Sequence, residues 1–434
     1  MPGAATEPVD SRLAVEEDFQ RRAAAWEEGF SRLWPLLPAA PPELGAPVLR
    51  RRQRENAVAA GELVDHLAGR VEDYPEAPAA QAAWRGELQE TVRRFGEERL
   101  GWPDGYRRLL LGEEFFDAST DFARAARAFD PAVRLDDMMQ ALRNVWIGNS
   151  IQMLLDLPVR LTPALGAYSL LYPYTDNYLD DPSVGEEAKR AFNQRLGRRL
   201  AGHAEPATDP RQEGVFRLVR QIEDAWPRGG FPDVHRSLLA IHAGQVRSLR
   251  QQRRGGDLAE DELLATSCAK GGASVLADGY LVSGRLDLAA AEFCFGYGVF
   301  LQLLDDLQDA VVDRQAGHQT LFSRRAGSAP LDDLASRLHH LIGRVLDGGR
   351  FAGPAHADRR DLVRRNCVTL LVGAVAESPG LFSRRFVRDL EARWPLRFGA
   401  MRRLRARARR RYEGALRVLR RRRRVGSLLD LLAP

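Results

Sequence analysis

Lysine is nearly missing from this chain. Of its 64 basic residues only Lys189 and Lys270 are lysines, a bias that fits a GC-rich coding sequence and makes either lysine worth a separate look. Cysteine is as scarce: Cys268, Cys294 and Cys367 stand at unpaired spacings among 434 residues. That excludes a disulfide framework and a zinc knuckle and points to a reducing cytoplasm. No apolar run approaches the roughly 20 residues needed to span a bilayer. The opening MPGAATEPVDSRLAVEEDF lacks both a basic and an apolar stretch, so no secretory leader is expected and the expected location is the cytoplasm. The 8 histidines are scattered without an H-E-x-x-H pair, and no Ser-His-Asp or Cys-His arrangement can be argued. Period-two alternation of useful length is absent, which removes strands.

What remains is helix. Apolar residues make up 44% and charged residues 28%, ordinary for a chain long enough to bury a large core. Apolar positions recur at spacings of three and four over 12–34, 48–72, 78–100 and 134–157. The same spacing continues over 160–180, 184–202, 210–225, 231–252, 258–283, 287–313, 328–348, 358–376, 379–390 and 396–430. The expected fold class is all-α. The Pro-rich segment 35–47 and the Gly-rich patches 327–330 and 347–358 read as connectors. Three regions follow: an N-terminal helical extension over 1–130 with no interpretable motif, a body over 131–400, and an Arg-rich end over 401–434.

Charge is unevenly spread. Residues 401–434 hold 13 arginines against Glu413 and Asp430, a net of +11, so with the chain at +5 the first 400 residues carry −6. The plain reading of the tail is an amphipathic terminal helix, with Leu404, Leu416, Leu419 and Leu428 near one stripe and the arginines turned to water or to the acidic body. The other reading is a contact with nucleic acid or an anionic membrane. No stable nucleic-acid or transmembrane partner is expected.

Two aspartate clusters carry the chemistry. YTDNYLDDP places Asp176, Asp180 and Asp181 at the end of an apolar helix, and the i, i+4 spacing of the first two puts both on one face. FLQLLDDLQDAVVD holds Asp305, Asp306, Asp309 and Asp313, of which Asp305, Asp309 and Asp313 form one stripe. A solvated helix face is the ordinary reading of such a stripe. Against it, residues 287–313 contain no lysine or arginine, and the preceding AAAEFCFGYGVFLQLL is apolar on nearly every side. Unpaired carboxylates emerging from a buried helix are costly unless a cation neutralises them. Mg2+ held by a few carboxylates and a substrate's phosphates meets that need. Between the clusters, SCAKGGASVLADGYLVSG is rich in small residues and carries Lys270, either a surface lysine on a tightly packed helix or a phosphate contact at the mouth of a cavity.

The clusters, in this order, resemble the class I isoprenoid-diphosphate enzymes, the superfamily of trans-prenyl diphosphate synthases, squalene and phytoene synthases and class I terpene synthases. The likeness covers roughly residues 135–330. DNYLDD (176–181) is similar to the first aspartate motif in its D-x-x-x-D-D form. GQVRSL (244–249) resembles the Gly-Gln helix, with Ser248 where an aspartate is usual. AKGGAS (269–274) resembles the lysine helix that contacts diphosphate, and YGVFLQLLDDLQD (297–309) the F-Q-x-x-D-D-x-x-D motif. The resemblance implies a helical bundle of the isoprenoid-synthase type around a deep apolar cavity. It implies Asp176, Asp180, Asp181, Asp305, Asp306 and Asp309 as ligands of Mg2+, three ions in the family. Lys270 and Gln245 would contact diphosphate, as would Arg411 and Tyr412, which resemble an Arg-Tyr pair of bacterial terpene synthases. Tyr172, Phe295 and Phe300 would line the cavity wall, beside Tyr168, Phe293 and Tyr297.

Two departures bear on the reaction. Neither a Gly-Lys-Arg motif nor an Arg-Arg pair close after Asp181 is present, and the nearest pair is Arg198-Arg199; this speaks against capture of isopentenyl diphosphate. The N-D-x-x-S-x-x-x-E motif of typical terpene synthases is also absent. The expected activity is that of a Mg2+-dependent terpene synthase resembling prenyltransferases: it ionises a farnesyl- or geranylgeranyl-type diphosphate, cyclises or quenches the cation and releases pyrophosphate. The alternatives are a prenyl diphosphate synthase or head-to-head prenyltransferase coupling two such substrates, and a non-enzymatic anion-binding protein acting through its tail. The family implies a homodimer.

Overall fold

The computed structural model describes residues 9–42, 45–75, 77–102, 113–181, 183–252, 258–348, 351 and 353–421; the side chains of 9–17, 78, 113, 176, 180, 416 and 419–421 fall outside this description. Among the described residues there are seventeen α-helices and no strand, as the spacing of apolar residues predicts. The first nine are α1 (Val9–Leu33), α2 (Arg50–Glu72), α3 (Pro78–Phe95), α4 (Glu113–Phe129), α5 (Leu135–Leu154), α6 (Pro163–Asp180), α7 (Glu186–Leu200), α8 (Pro210–Ala225) and α9 (Pro232–Ser248). Then come α10 (Glu260–Ser283), α11 (Leu288–Gln308), α12 (Ala310–Ala316), α13 (Leu321–Arg325), α14 (Asp332–Asp347), α15 (Ala357–Glu377), α16 (Arg384–Ala392) and α17 (Phe398–Arg421).

Local chemistry sets the ends. Pro163, Pro210 and Pro232 stand in the first turns of α6, α8 and α9, where a missing N–H costs nothing. Thr162, Asp209 and Asp287 cap α6, α8 and α11 by accepting from the backbone N–H three residues on. Gly284 ends α10 at φ +73°, a left-handed turn that glycine adopts without strain.

The centre of the molecule is the pair α10 and α11, apolar nearly all round and packed along their length. A side chain at Gly298 would place its Cβ 2.0 Å from the carbonyl oxygen of Gly271, and one at Gly271 would fall 2.3 Å from the Cβ of Gln302. The two backbones therefore touch, which only glycine permits. On the other side of α10 a Cβ at Gly244 of α9 would meet the Cα of Lys270 at 3.0 Å. Three helices thus converge on the turn that carries Lys270. α5 and α6 cover α10, α8 runs along α6, α14 packs on α11, and α15 packs on α14 while also touching α11 and α5.

α11 corrects one expectation. At 21 residues it is long and apolar enough to cross a membrane, yet two-thirds of it is buried inside the protein, as expected of a core helix. The main core also draws on residues before 130: Phe19, Trp34, Leu37, Phe122, Ala123 and Ala126 belong to it, and α1 packs on α9, α10 and α11. α2, α3 and α17 instead share a small second cluster of Val71, Tyr74, Trp84 and Ala415. Residues 422–434, with Leu428 and the last of the arginine run, lie outside the described residues.

Candidate active site

Helix α11 leaves the core through its last two turns, and there its carboxylates meet cations from two other helices. Asp305 is reached by solvent although protein crowds round its carboxyl. Burial pushes its carboxyl up, Lys270 of α10 and Arg143 of α5 pull it down, and Asp313 pushes it up again. Asp309 is exposed and also raised: by burial first, then by Asp305 and Asp313, against the pull of Arg143 and His318. Crowding of like charge is a plain electrostatic cost that a cation relieves. His318 reaches Asp313 at 3.3 Å. Thr320, two residues on, caps α13 in a reciprocal pair with Ser323.

Asp306 faces inward. It is 6% exposed, and its oxygens accept from Ser267 Oγ at 2.7 Å and Gln302 Nε2 at 2.8 Å. Burial and the neighbouring Asp305 push it up to about 6, while those two hydrogen bonds hold it down. The stripe is therefore divided in labour. Asp305 and Asp309 face solvent, and Asp306 ties α11 to α10 beneath them.

The first aspartate cluster is placed by α6, whose Pro173 interrupts the backbone ladder one turn before it. The side chains of Asp176 and Asp180 lie outside the described residues. Asp181 follows the helix end; it accepts from Arg211 Nη1 at 2.6 Å and from the Ser183 backbone N–H at 2.8 Å. Arg211 and Ser183 hold its carboxyl well below the usual range.

Tyr172 and Gln245 are brought together. With Tyr168, Thr175, Ile241 and His242 they line a pocket between α6, α7 and α9 whose volume is about 20 Å³, space for a single water. Of the three expected wall residues only Tyr172 lines this pocket. Phe295 turns to α1, with its ring 5.8 Å from Trp26 and 6.1 Å from Phe30, and Phe300 is fully buried in the main core. Arg411 and Tyr412 are placed apart from the acidic stripe: Arg411 Nε donates to Asp65 of α2 at 3.0 Å, and Tyr412 packs on the second cluster. Arg198 and Arg199 are taken as well, by Glu205 and by both oxygens of Glu223 respectively.

Sequence reasoning misses two residues. Arg143 is one arginine among 62, and only the packing of α5 against α10 turns it toward Asp305. Asp278 lies two turns after Lys270 on α10 and is fully buried. Its Oδ1 accepts from Asn144 Nδ2 at 2.9 Å, and its Oδ2 has no partner among the described residues. Burial raises it well above the ordinary carboxylate range. A lone acid in the small, apolar stretch after Lys270 gives no periodicity that would mark it.

The donor set suits a hard divalent ion in part. Asp305 and Asp309 are crowded carboxylates open to solvent, the chemistry such an ion prefers. Asp306 has both oxygens engaged within the protein, and among the described residues no group of three or more acidic, histidine or cysteine side chains converges as a ready cage.

No known protein-family profile matches the sequence, and no curated protein matches it. Among solved structures it is similar to a polyprenyl synthetase from Streptomyces coelicolor A3(2), at 17% identity over 74% of this chain and 99% of the other, with a TM-score of 0.26. An overlap that loose transfers neither a residue nor a reaction.

Proposed function

We propose that this chain is a class I isoprenoid-diphosphate enzyme that ionises a single allylic diphosphate, a terpene synthase in its reaction class. The observation that carries this reading is the pull of Lys270 and Arg143 on Asp305, and of Arg143 on Asp309, at the solvent-facing end of α11. Carboxylates and fixed cations side by side are what a metal-bound diphosphate requires, the first for the metal and the second for the phosphates. Mg2+, when bound by Asp305, Asp309 and the aspartates of α6, supplies the charge that makes pyrophosphate a good leaving group.

The chain's own residues do the rest. Lys270, fixed where α9, α10 and α11 converge, and Arg143 draw the diphosphate to this end of α11 and stabilise negative charge as it develops. The allylic C–O bond breaks with its electron pair going to the diphosphate oxygen. Tyr168, Tyr172 and Ile241 exclude water from the hydrocarbon, and the tyrosine faces stabilise the cation. The cation then loses a proton to give a hydrocarbon or takes up water to give an alcohol. Among the described residues a second diphosphate finds no free Arg-Arg pair near α6, since Arg198 and Arg199 are held by Glu205 and Glu223, and this favours one substrate over two.

The test is release of pyrophosphate with Mg2+ from C10, C15 and C20 allylic diphosphates, each with and without isopentenyl diphosphate, followed by extraction of product. Release from one allylic diphosphate alone supports the reading. Release only with a second isoprenoid makes the protein a coupling prenyltransferase, and no release with any of them overturns the assignment. Asp305→Ala should lower kcat by at least about a hundredfold, the scale of a lost electrostatic contact in a transition state, with unchanged helicity by circular dichroism. Wild-type turnover in that variant would remove Asp305 from the metal site.

A further inference from the structure

We propose that the paired helices α2 and α17 form a docking face for an anionic phospholipid bilayer. The two helices run side by side in the same direction. Gln53 Nε2 donates to the carbonyl of Trp394 at 2.8 Å just ahead of α17, and further along Asp65 accepts from Arg411 Nε at 3.0 Å. Between them lies an open groove of about 670 Å³. Its floor is apolar, from Ala57, Val58, Ala400 and Leu404, and its rim carries Arg403, Arg407, Arg410 and Glu62.

The charge on this face exceeds what the protein neutralises. Asp65 takes Arg407 and Arg411, Glu377 takes Arg405, and Glu413 of the same helix takes Arg409. Among the described residues Arg403 and Arg410 have no carboxylate partner, nor do Arg50 and Arg54 at the start of α2. Arg50, Arg54 and Val58 follow one another at i, i+4 and share a stripe, and Arg403 and Arg410 stand two turns apart on the facing one. All five are exposed. With Asp65 and Glu377 of the body already engaged, the remaining arginines of this face are open to an outside anion.

Apolar exposure selects which anion. Val58 is 62% exposed on the groove floor, and Leu49, directly ahead of α2, is 78% exposed. A nucleic acid backbone rewards arginines but gains nothing from Val58 and Leu49. A bilayer rewards both, since arginines pair with headgroup phosphates while small apolar side chains enter the acyl boundary.

The experiment is co-sedimentation of the full chain with phosphatidylglycerol/phosphatidylcholine vesicles and with pure phosphatidylcholine vesicles, at low and at physiological salt. Binding should require phosphatidylglycerol and weaken with salt. Arg403→Gln/Arg410→Gln should lower the partition coefficient about thirtyfold, from roughly a fivefold contribution per basic side chain. Both side chains are exposed, so the melting temperature should stay at the wild-type value. Val58→Ser should weaken vesicle binding severalfold while leaving any retention on duplex DNA unchanged. Vesicle binding that the double arginine variant leaves intact overturns the proposal. So does an absence of vesicle binding, and so does tighter binding to DNA that Val58→Ser does not alter, which would give the face to nucleic acid.

Discussion

Two helix pairs in this molecule join by opposite means. α10 and α11 meet backbone to backbone at Gly271 and Gly298, with no charge at the contact. α2 and α17 pack side by side beneath an open groove, share Val71 and Ala415 in the second cluster and are tied by arginines to Asp65. The first arrangement fixes position: Lys270 and Asp305 can face each other only because their helices cannot shift. The second leaves a wide, wet, charged surface that tolerates adjustment. Positional accuracy comes from packing small residues, and ionic complementarity alone leaves room for motion.

Glycine-to-alanine exchange in each pair breaks this comparison most directly. Gly298→Ala drives a methyl into the Gly271 carbonyl oxygen at 2.0 Å and should cost about 3 kcal/mol or more in urea unfolding, at the upper end for overpacking. Gly61→Ala in α2 meets the Arg407 guanidinium at 2.9 Å, the movable end of a long side chain, and should change stability by less than about 1 kcal/mol because alanine is the better helix former. Equal effects would mean the two pairs are held alike.

A second test concerns the buried acid beside the rigid pair. With its folded pKa raised, Asp278 binds its proton more tightly in the folded protein than in the unfolded chain. It therefore contributes stability that is complete below about pH 4 and is lost as pH rises toward the folded pKa. Asp278→Asn keeps the shape and the Asn144 contact without the ionisation. Variant and wild type should match near pH 4 and then diverge by at most about 1.4 kcal/mol per pH unit in the variant's favour. Parallel stability curves between pH 4 and 8 would show that Asp278 is not held neutral.

The smallest effect belongs to the ionic pair. Asp65→Asn removes both arginine contacts from a solvated site and should barely move the urea midpoint, with the difference shrinking further at high salt, as exposed bridges do. A midpoint shift as large as that of Gly298→Ala would mean that Asp65 anchors α17 as firmly as the glycines anchor α11.

Much of the frame was legible in the residues. The expected helices 134–157, 258–283 and 358–376 match α5, α10 and α15 to within three residues at each end, because long apolar periodicity leaves little choice. The stretch 287–313 divides at Asp309 into α11 and α12, a bend that periodicity does not carry. Lys270 stood out because lysine is so rare here, and the small residues around it announced a close crossing. Arg143 could not stand out among 62 arginines, and the partners of Asp181, Arg199 and Arg411 depend on which helices become neighbours. Phe295 shows the same limit: an aromatic on an all-apolar helix has no preferred side until α1 supplies Trp26 and Phe30.

The seam between Gly271 and Gly298 also fixes where this protein can change. A contact made only of main chain offers no side chain to enlarge, trim or polarise, so selection can do little there except preserve it. Change is open instead around the small pocket between α6, α7 and α9, whose facing residues have side chains to exchange. The molecule thus has a fixed datum where α10 crosses α11 and an adjustable jaw where α6, α7 and α9 face one another.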